Sequence, residues 1–299
     1  MKITLKKKIE LSNFLEQIET NRNSEKVIDK LDLMHSKPKA HVIGVTGSPG
    51  VGKSSLIDKL IQYIRKNNKS VGVIAVDPSS RETGGALLGD RTRFLLDPTD
   101  NNVFVRSMAS KNYLGGISEL TYPTMITMRS LFDYILVETV GVGQSEIFIK
   151  DITDTVVLCI QPGSGDNIQF MKSGIFEIPN IILVTKSDLR DLSNLTYSDL
   201  KGNENLFEYD EDNIDILKIS SHKSFGFKNL FEVISKRWKM LKMQKRIFNQ
   251  RRSQDIGWIE RSIIDEFGQK GKEQIKDLIK YNSNPFKTLN KLRNHLAKN

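Results

Sequence analysis

The feature that most constrains this chain is the octapeptide Gly47-Ser48-Pro49-Gly50-Val51-Gly52-Lys53-Ser54. It fits G-x-x-x-x-G-K-[ST] at every position. An apolar run, His41–Thr46, precedes it, and a helical pattern over Ser55–Ile64 follows. Strand, glycine-rich turn and helix, in that order, make a phosphate cradle. The glycines let the backbone close around phosphate oxygens. The helix N-terminus aims its free N–H groups and positive dipole end at them. The octapeptide and the adjoining Ser55 are therefore the expected nucleotide contacts. Lys53 should reach the β- and γ-phosphates, and the Ser54 hydroxyl should ligate Mg²⁺.

The rest of the chain supplies a sheet for that turn. Short apolar runs recur at His41–Thr46, Val71–Asp77, Val103–Ser107, Tyr134–Glu138, Thr155–Ile160, Asn180–Thr185 and Asp215–Ser220. Many are β-branched and continuous, the pattern of strands buried on both faces of a parallel sheet. Residues 196–213 are polar and acidic, and read as a surface loop. The predicted fold is α/β, a P-loop NTPase with a mostly parallel sheet flanked by helices, plus helical N- and C-terminal extensions. The expected divisions are a helical extension over 1–38, a nucleotide-binding domain over 39–234 and a helical arm over 235–299. In the first, Leu11, Phe14, Leu15, Ile18, Ile28 and Leu31 recur at helical spacing. In the last, Ile256, Ile259, Ile263, Ile264 and Phe267 mark one apolar stripe. Ile275, Leu278 and Ile279 mark a second, and Phe286, Leu289, Leu292 and Leu296 a third. These stripes need cover from the main domain or from a second copy of the chain.

Ile182-Leu183-Val184-Thr185-Lys186-Ser187-Asp188 is a strand ending in T-K-x-D, where GTPases use N-K-x-D. The Asp188 carboxylate would accept from guanine N1–H and the exocyclic amine, groups that adenine cannot offer, and Lys186 would pack along the base plane. Thr185 replaces the usual Asn; it is shorter and lacks the amide, so weaker buttressing of the neighbouring loop is expected. Ile219-Ser220-Ser221-His222-Lys223 follows the last strand. A GTPase places there a small-residue loop whose backbone contacts guanine O6, so Ser221 joins the expected contacts. The acidic candidates near Mg²⁺ are Asp77, Asp90 and Glu138. Asp77 and Glu138 end strands at the sheet edge where ligands bind. Direct and water-mediated carboxylates both suit Mg²⁺. For Asp90 alone, a metal role and a plain loop role stand about equal.

Composition narrows the class. One cysteine, Cys159, allows no intrachain disulfide and no thiolate metal cage. No run approaches the ~18 apolar residues of a membrane span, and the basic start lacks a secretory apolar core. A cytoplasmic protein is expected. The formal net charge of +9 is uneven: residues 235–299 carry 17 Lys/Arg against 6 Asp/Glu, the remainder 28 against 30. A basic arm fits an acidic partner or nucleic acid, or is simply a solvated helical face. No nucleic-acid module is legible, so nucleic acid is the weaker expectation.

The segment Val137-Glu138-Thr139-Val140-Gly141-Val142-Gly143-Gln144-Ser145-Glu146 departs from the usual D-x-x-G, with Glu in place of Asp. Joined to Asp77-Pro78-Ser79-Ser80, Thr83-Gly84-Gly85, Leu88-Gly89-Asp90-Arg91-Thr92-Arg93, Leu114-Gly115-Gly116 and Gln161-Pro162-Gly163-Ser164-Gly165-Asp166, it resembles the MeaB/ArgK family. These are the GTPases associated with methylmalonyl-CoA mutase and related cobalamin-dependent acyl-CoA mutases. The likeness covers about residues 40–235 in motif detail. It implies a SIMIBI-class P-loop GTPase with a C-terminal dimerisation arm. It implies a chaperone that gates cobalamin loading and protects a mutase, using GTP hydrolysis to GDP as its switch. Partners would be the mutase, an adenosyltransferase and a second copy of the chain. The resemblance places Ser54, Asp77, Asp90 and Glu138 around Mg²⁺, Gly141 at the γ-phosphate, and Asp166 and Lys172 in a loop that senses the partner and reaches the nucleotide.

Hydrolysis needs a positioned water. Val142, after Gly141, cannot orient one, and Gln144 would do so only after the loop reshapes. Slow intrinsic turnover, raised by a partner, is expected. Two rival functions are a metal-delivery GTPase and a small-molecule kinase of arginine type. The four histidines are scattered, and no acceptor-activating constellation is legible.

Overall fold

The computed structural model describes residues 3–77, 94, 97, 99–109, 120–139, 148–163, 178–203, 213–279 and 284–298; Asp77 and Ala109 are described by backbone alone. Seven strands form one sheet in the order β3-β2-β4-β1-β5-β6-β7. They are β1 (His41–Thr46), β2 (Val71–Asp77), β3 (Val103–Ala109), β4 (Tyr134–Glu138), β5 (Thr155–Ile160), β6 (Ile181–Val184) and β7 (Asp215–Lys218). Every pairing among them is parallel. All seven expected strands are present. The last is two residues shorter than expected because Ser220 leaves the ladder to bridge Phe225.

Eight α-helices stand among the described residues: α1 (Leu5–Asn21), α2 (Glu25–His35), α3 (Lys53–Lys66), α4 (Thr121–Arg129), α5 (Arg190–Gly202), α6 (Phe227–Met243), α7 (Arg246–Ile275) and α8 (Pro285–Leu296). One face of the sheet takes α3 and α6. Leu56, Ile57 and Leu60 of α3, with Leu230 and Ile234 of α6, pack on Ile43, Val45, Leu136 and Val157. Burying each such side chain is worth about 1.5–3 kcal/mol. The opposite face presents Val42, Ile74, Ile135 and Val137 to the core that α1, α2, α4, α7 and α8 share. Alternate residues along one strand thus serve two helical layers, which explains the unbroken apolar runs.

The N-terminal apolar positions are buried as their spacing predicts. Phe286, Leu289, Leu292 and Leu296 are buried within this chain, in a core shared with α2 and α7. Leu278, by contrast, stays exposed. Helix α7 breaks its geometry at Gly268. Residues 196–202, expected in a loop, belong to α5. Ser193, Thr196 and Leu200 lie on one buried stripe of that helix, and i, i+3, i+7 spacing outweighs its polar composition.

Helices α6 and α7 are bolted to the lower, N-terminal edge of the sheet. The buried Asp154 carboxylate accepts from the Val42 amide at 2.8 Å and from Arg251 of α7 at 2.9 and 2.7 Å. His41 stacks on Trp238 of α6, with ring centroids 4.5 Å apart. From α2, the Asp32 carboxylate accepts the Phe286 and Lys287 amides at 3.2 and 3.1 Å, capping α8 across 254 residues of sequence.

Candidate nucleotide site

The C-terminal ends of β2, β4, β1, β5 and β6 and the segment after β7 share one edge of the sheet, where ligands bind in such folds. At the end of β1 the chain turns at Gly47, with φ of 135°; a Cβ there would lie 2.3 Å from the Cys159 carbonyl oxygen. Only glycine fits. The turn closes at Gly52, φ 102°, the N-cap residue of α3, which carries no side-chain cap. The first-turn amides of α3 are thus left to face a ligand. Val51 is buried, while Pro49 and Gly50 form the exposed tip and Ser55 is exposed on the first turn of α3.

Lys53 is almost wholly buried, and its ammonium donates to the Gly47 and Ser48 carbonyls at 2.7 and 3.0 Å. The Ser54 hydroxyl donates to Glu138 Oε1 at 2.8 Å. That bond joins the helix start to the end of β4, and the extra methylene of Glu over Asp helps span the gap. Thr46 and Thr139 hydroxyls, 2.9 Å apart, tie the ends of β1 and β4 together beside it. The donor set is hydroxyl and carboxylate oxygen, the hard ligands that Mg²⁺ selects. With its proton committed to Glu138, Ser54 has lone pairs left to offer a cation, so these residues fit the metal. Beneath the turn, burial pushes the Cys159 thiol up to about 12, so it stays protonated. It is a buried small hydrophobe, as its strand context predicts.

The T-K-x-D segment after β6 also joins this edge. The Thr185 hydroxyl reaches the Val51 carbonyl at 2.8 Å and the Ile160 carbonyl at 3.1 Å. The short side chain therefore buttresses the phosphate turn directly, where sequence reasoning expects a loss. Lys186 adopts a left-handed φ of 49° and donates to Gln161 Oε1 at 2.7 Å. Asp188 is exposed and accepts from the Ser220 hydroxyl at 2.5 Å. That bond and the Asp188 amide hold its carboxyl below the usual carboxylate range. A cleft of about 500 Å³ opens beside it, lined by Ser187, Asp188, Lys218, Ser220, Lys223 and Phe225 among others. Such a volume suits a small ligand.

Lys53, Ser54, Glu138, Lys186 and Asp188 thus come to one edge. Asp77 ends β2 at the same edge, two residues beyond the pairing of Ala75 with Glu138. Ser221 follows Ser220 there, half-buried. Asp90, Gly141, Val142, Gln144, Asp166 and Lys172 lie outside the described residues. Sequence reasoning missed Gln161 and Ser220 as partners of Lys186 and Asp188. Both stood in quoted motifs, but nothing in their spacing marked the pairing.

A family model described as "Methylmalonyl Co-A mutase-associated GTPase MeaB" matches residues 11–276. The chain belongs to the MeaB family. It is accordingly a P-loop GTPase. A protein of Pyrococcus horikoshii with a provisional GTPase name is 38% identical over 270 residues, 88% of this chain and 84% of that protein. GTPase ArgK of Escherichia coli is 31% identical over 229 residues, 75% of this chain and 69% of its own. The mitochondrial methylmalonic aciduria type A homolog of Mus musculus is 39% identical over 153 residues, 51% of this chain and 37% of that protein. Among solved structures, a LAO/AO transport system kinase superposes with a TM-score of 0.69 at 20% identity, covering 97% of this chain and 93% of its own. The hydrogenase maturation factor HypB of Archaeoglobus fulgidus gives 0.52 at 16% identity, covering 72% and 97%. These two matches speak for the fold alone.

Proposed function

We propose that this MeaB-family chain binds GTP with Mg²⁺ at the described edge and hydrolyses it to GDP as the switch of a cytoplasmic chaperone. Its client is a cobalamin-dependent acyl-CoA mutase of the methylmalonyl-CoA mutase type, whose cofactor loading it gates and which it protects. The observation that carries the reading is the Ser54–Glu138 hydrogen bond at the first turn of α3, on the same edge as Lys53 and Asp188. The family description supplies the client. An adenosyltransferase as second partner and a homodimer through the arm complete the proposal; exposed Met243, Phe248 and Leu278 on that arm support the dimer.

Phosphoryl transfer to water asks mainly for positioning and charge neutralisation. The amides at the start of α3 and the Lys53 ammonium would hold the phosphate oxygens, Lys53 exchanging its carbonyl partners for them. Ser54, with Asp77, Asp90 and Glu138 around it, would hold Mg²⁺, which when bound offsets charge on the β- and γ-phosphates. Glu138 accepts the hydrogen bond of the Ser54 hydroxyl and so fixes the direction of its lone pairs. Asp188, kept ionised by Ser220, would read guanine N1–H and amine, with Ser221 near O6. Gly141 would meet the γ-phosphate. Val142 cannot orient water, so Gln144, Asp166 and Lys172 act only once a partner rearranges their segments.

The test is phosphate release from GTP by the isolated chain, with and without a methylmalonyl-CoA mutase. Slow turnover that the mutase accelerates is expected. Fast turnover alone, on the order of 1 s⁻¹ or more as in stimulated GTPases, with no effect of the mutase, would overturn the switch.

A further inference from the structure

Lys186 is the base-packing lysine in the reading above, and a lysine stem is long, rotamer-rich and poor at holding one position. The structure supplies two restraints on it. The first is backbone. Its left-handed φ of 49° is uncommon for a side-chain-bearing residue and persists where the surroundings over-determine it. Here they do. The amide before it, Thr185, donates to the Ile160 carbonyl at 2.9 Å, and the amide after it, Ser187, donates to the Ile219 carbonyl at 2.9 Å. Lys186 is therefore clamped between the end of β5 and the segment after β7.

The second restraint is at the far end of the side chain. The ammonium donates to Gln161 Oε1 at 2.7 Å, a charge-assisted bond to the first residue after β5. Gln161 is neutral. Its amide oxygen fixes the ammonium by accepting one of its hydrogen bonds.

We propose that Gln161 is a positioning residue for base binding: its amide oxygen holds the Lys186 side chain in the extended course that lies along the purine. This rests on the guanine-nucleotide reading and names a residue that T-K-x-D does not contain. Gln161 also begins the segment that carries Asp166 and Lys172.

The test follows release of N-methylanthraniloyl-GDP from the full-length chain. Gln161→Leu, equal in size without an acceptor, should speed release about tenfold, the scale of one charge-assisted bond. Gln161→Glu keeps an acceptor and should release close to the unmodified rate. The ratio of GTP to ITP affinity and kcat at saturating GTP should not move, because Gln161 acts on the purine face and not on Asp188 or the phosphates. In a Lys186→Met background, Gln161→Leu should have no further effect. Gln161→Asn, which draws the amide back by a methylene, gives the same reading should Gln161→Leu fail to fold. Unchanged release in Gln161→Leu, equal losses in the Leu and Glu variants, or a loss that persists beside Lys186→Met would overturn the proposal alone. Absence of labelled GDP binding by the unmodified chain would overturn the guanine reading with it.

Discussion

The Thr185 hydroxyl lies 2.8 Å from the Val51 carbonyl, so the end of β6 is pinned to the glycine-rich turn before α3. Both groups are buried. Removing the hydroxyl leaves the buried Val51 carbonyl without this donor, while Ile160 keeps the Thr185 amide, at a cost of about 1–3 kcal/mol. Thr185→Val should therefore lower unfolding stability by that amount and weaken guanine nucleotide binding about tenfold. Thr185→Ser should keep most of both. Urea unfolding and nucleotide titration on the three proteins check it.

Glu138→Gln keeps the acceptor for Ser54 and removes the charge. The Mg²⁺ concentration for half-maximal GTP binding should rise about tenfold, since a neutral oxygen holds a hard cation less well. GDP binding in chelator should change little. Lys53→Ala should abolish nucleotide binding or turnover; full turnover would remove the phosphate turn from its role.

Asp188→Asn turns an acceptor into a partial donor. Preference should move from GTP toward xanthosine triphosphate, whose ring carries an oxygen where guanine carries the amine. Competition binding between the two reads this directly, and retained preference for GTP would take Asp188 out of base recognition.

His41 makes stability depend on pH. Burial lowers its value to about 3, and Asp154 nearby only partly opposes this. The folded value lies below the unfolded one, so the contribution is complete above about pH 6.5. Below that, the unfolded chain takes up a proton that the folded chain refuses, and stability falls as the pH drops toward 3. One such group costs up to about 1.4 kcal/mol per pH unit. His41→Phe should flatten the loss between pH 6.5 and 4 by that slope, measured by urea unfolding.

Arg251→Met leaves the Asp154 carboxylate buried and without its two guanidinium bonds. A loss of about 3–5 kcal/mol is expected. Adding Asp154→Asn should recover part of it, which denaturant midpoints for the single and double variants would reveal.

Local pattern carried the sheet well, because strands buried on both faces must be largely apolar, and Val71–Val76 and Val156–Ile160 are. The glycine-rich turn was legible for a similar reason: Gly47 has no room for a Cβ, and Gly52 holds a positive φ that side-chain-bearing residues rarely adopt. What escaped was anything set by meetings distant in sequence. Asp32 capping α8 and Gln161 holding Lys186 depend on which elements become neighbours. The polar run at 196–202 misled because a helix with one buried stripe needs few apolar residues.

Strand β1 begins at His41, stacked on Trp238, and hands the chain to Gly47 at its other end. Six residues therefore separate the C-terminal helices from the phosphate turn. Cutting the chain before α6 would strip the Trp238 ring and the Arg251 guanidinium from the foot of that strand, and the buried Asp154 would lose its two guanidinium bonds. A shortened catalytic fragment would not be a smaller version of this enzyme. Its central strand would stand on an unbalanced footing, and the turn it carries would inherit the disorder.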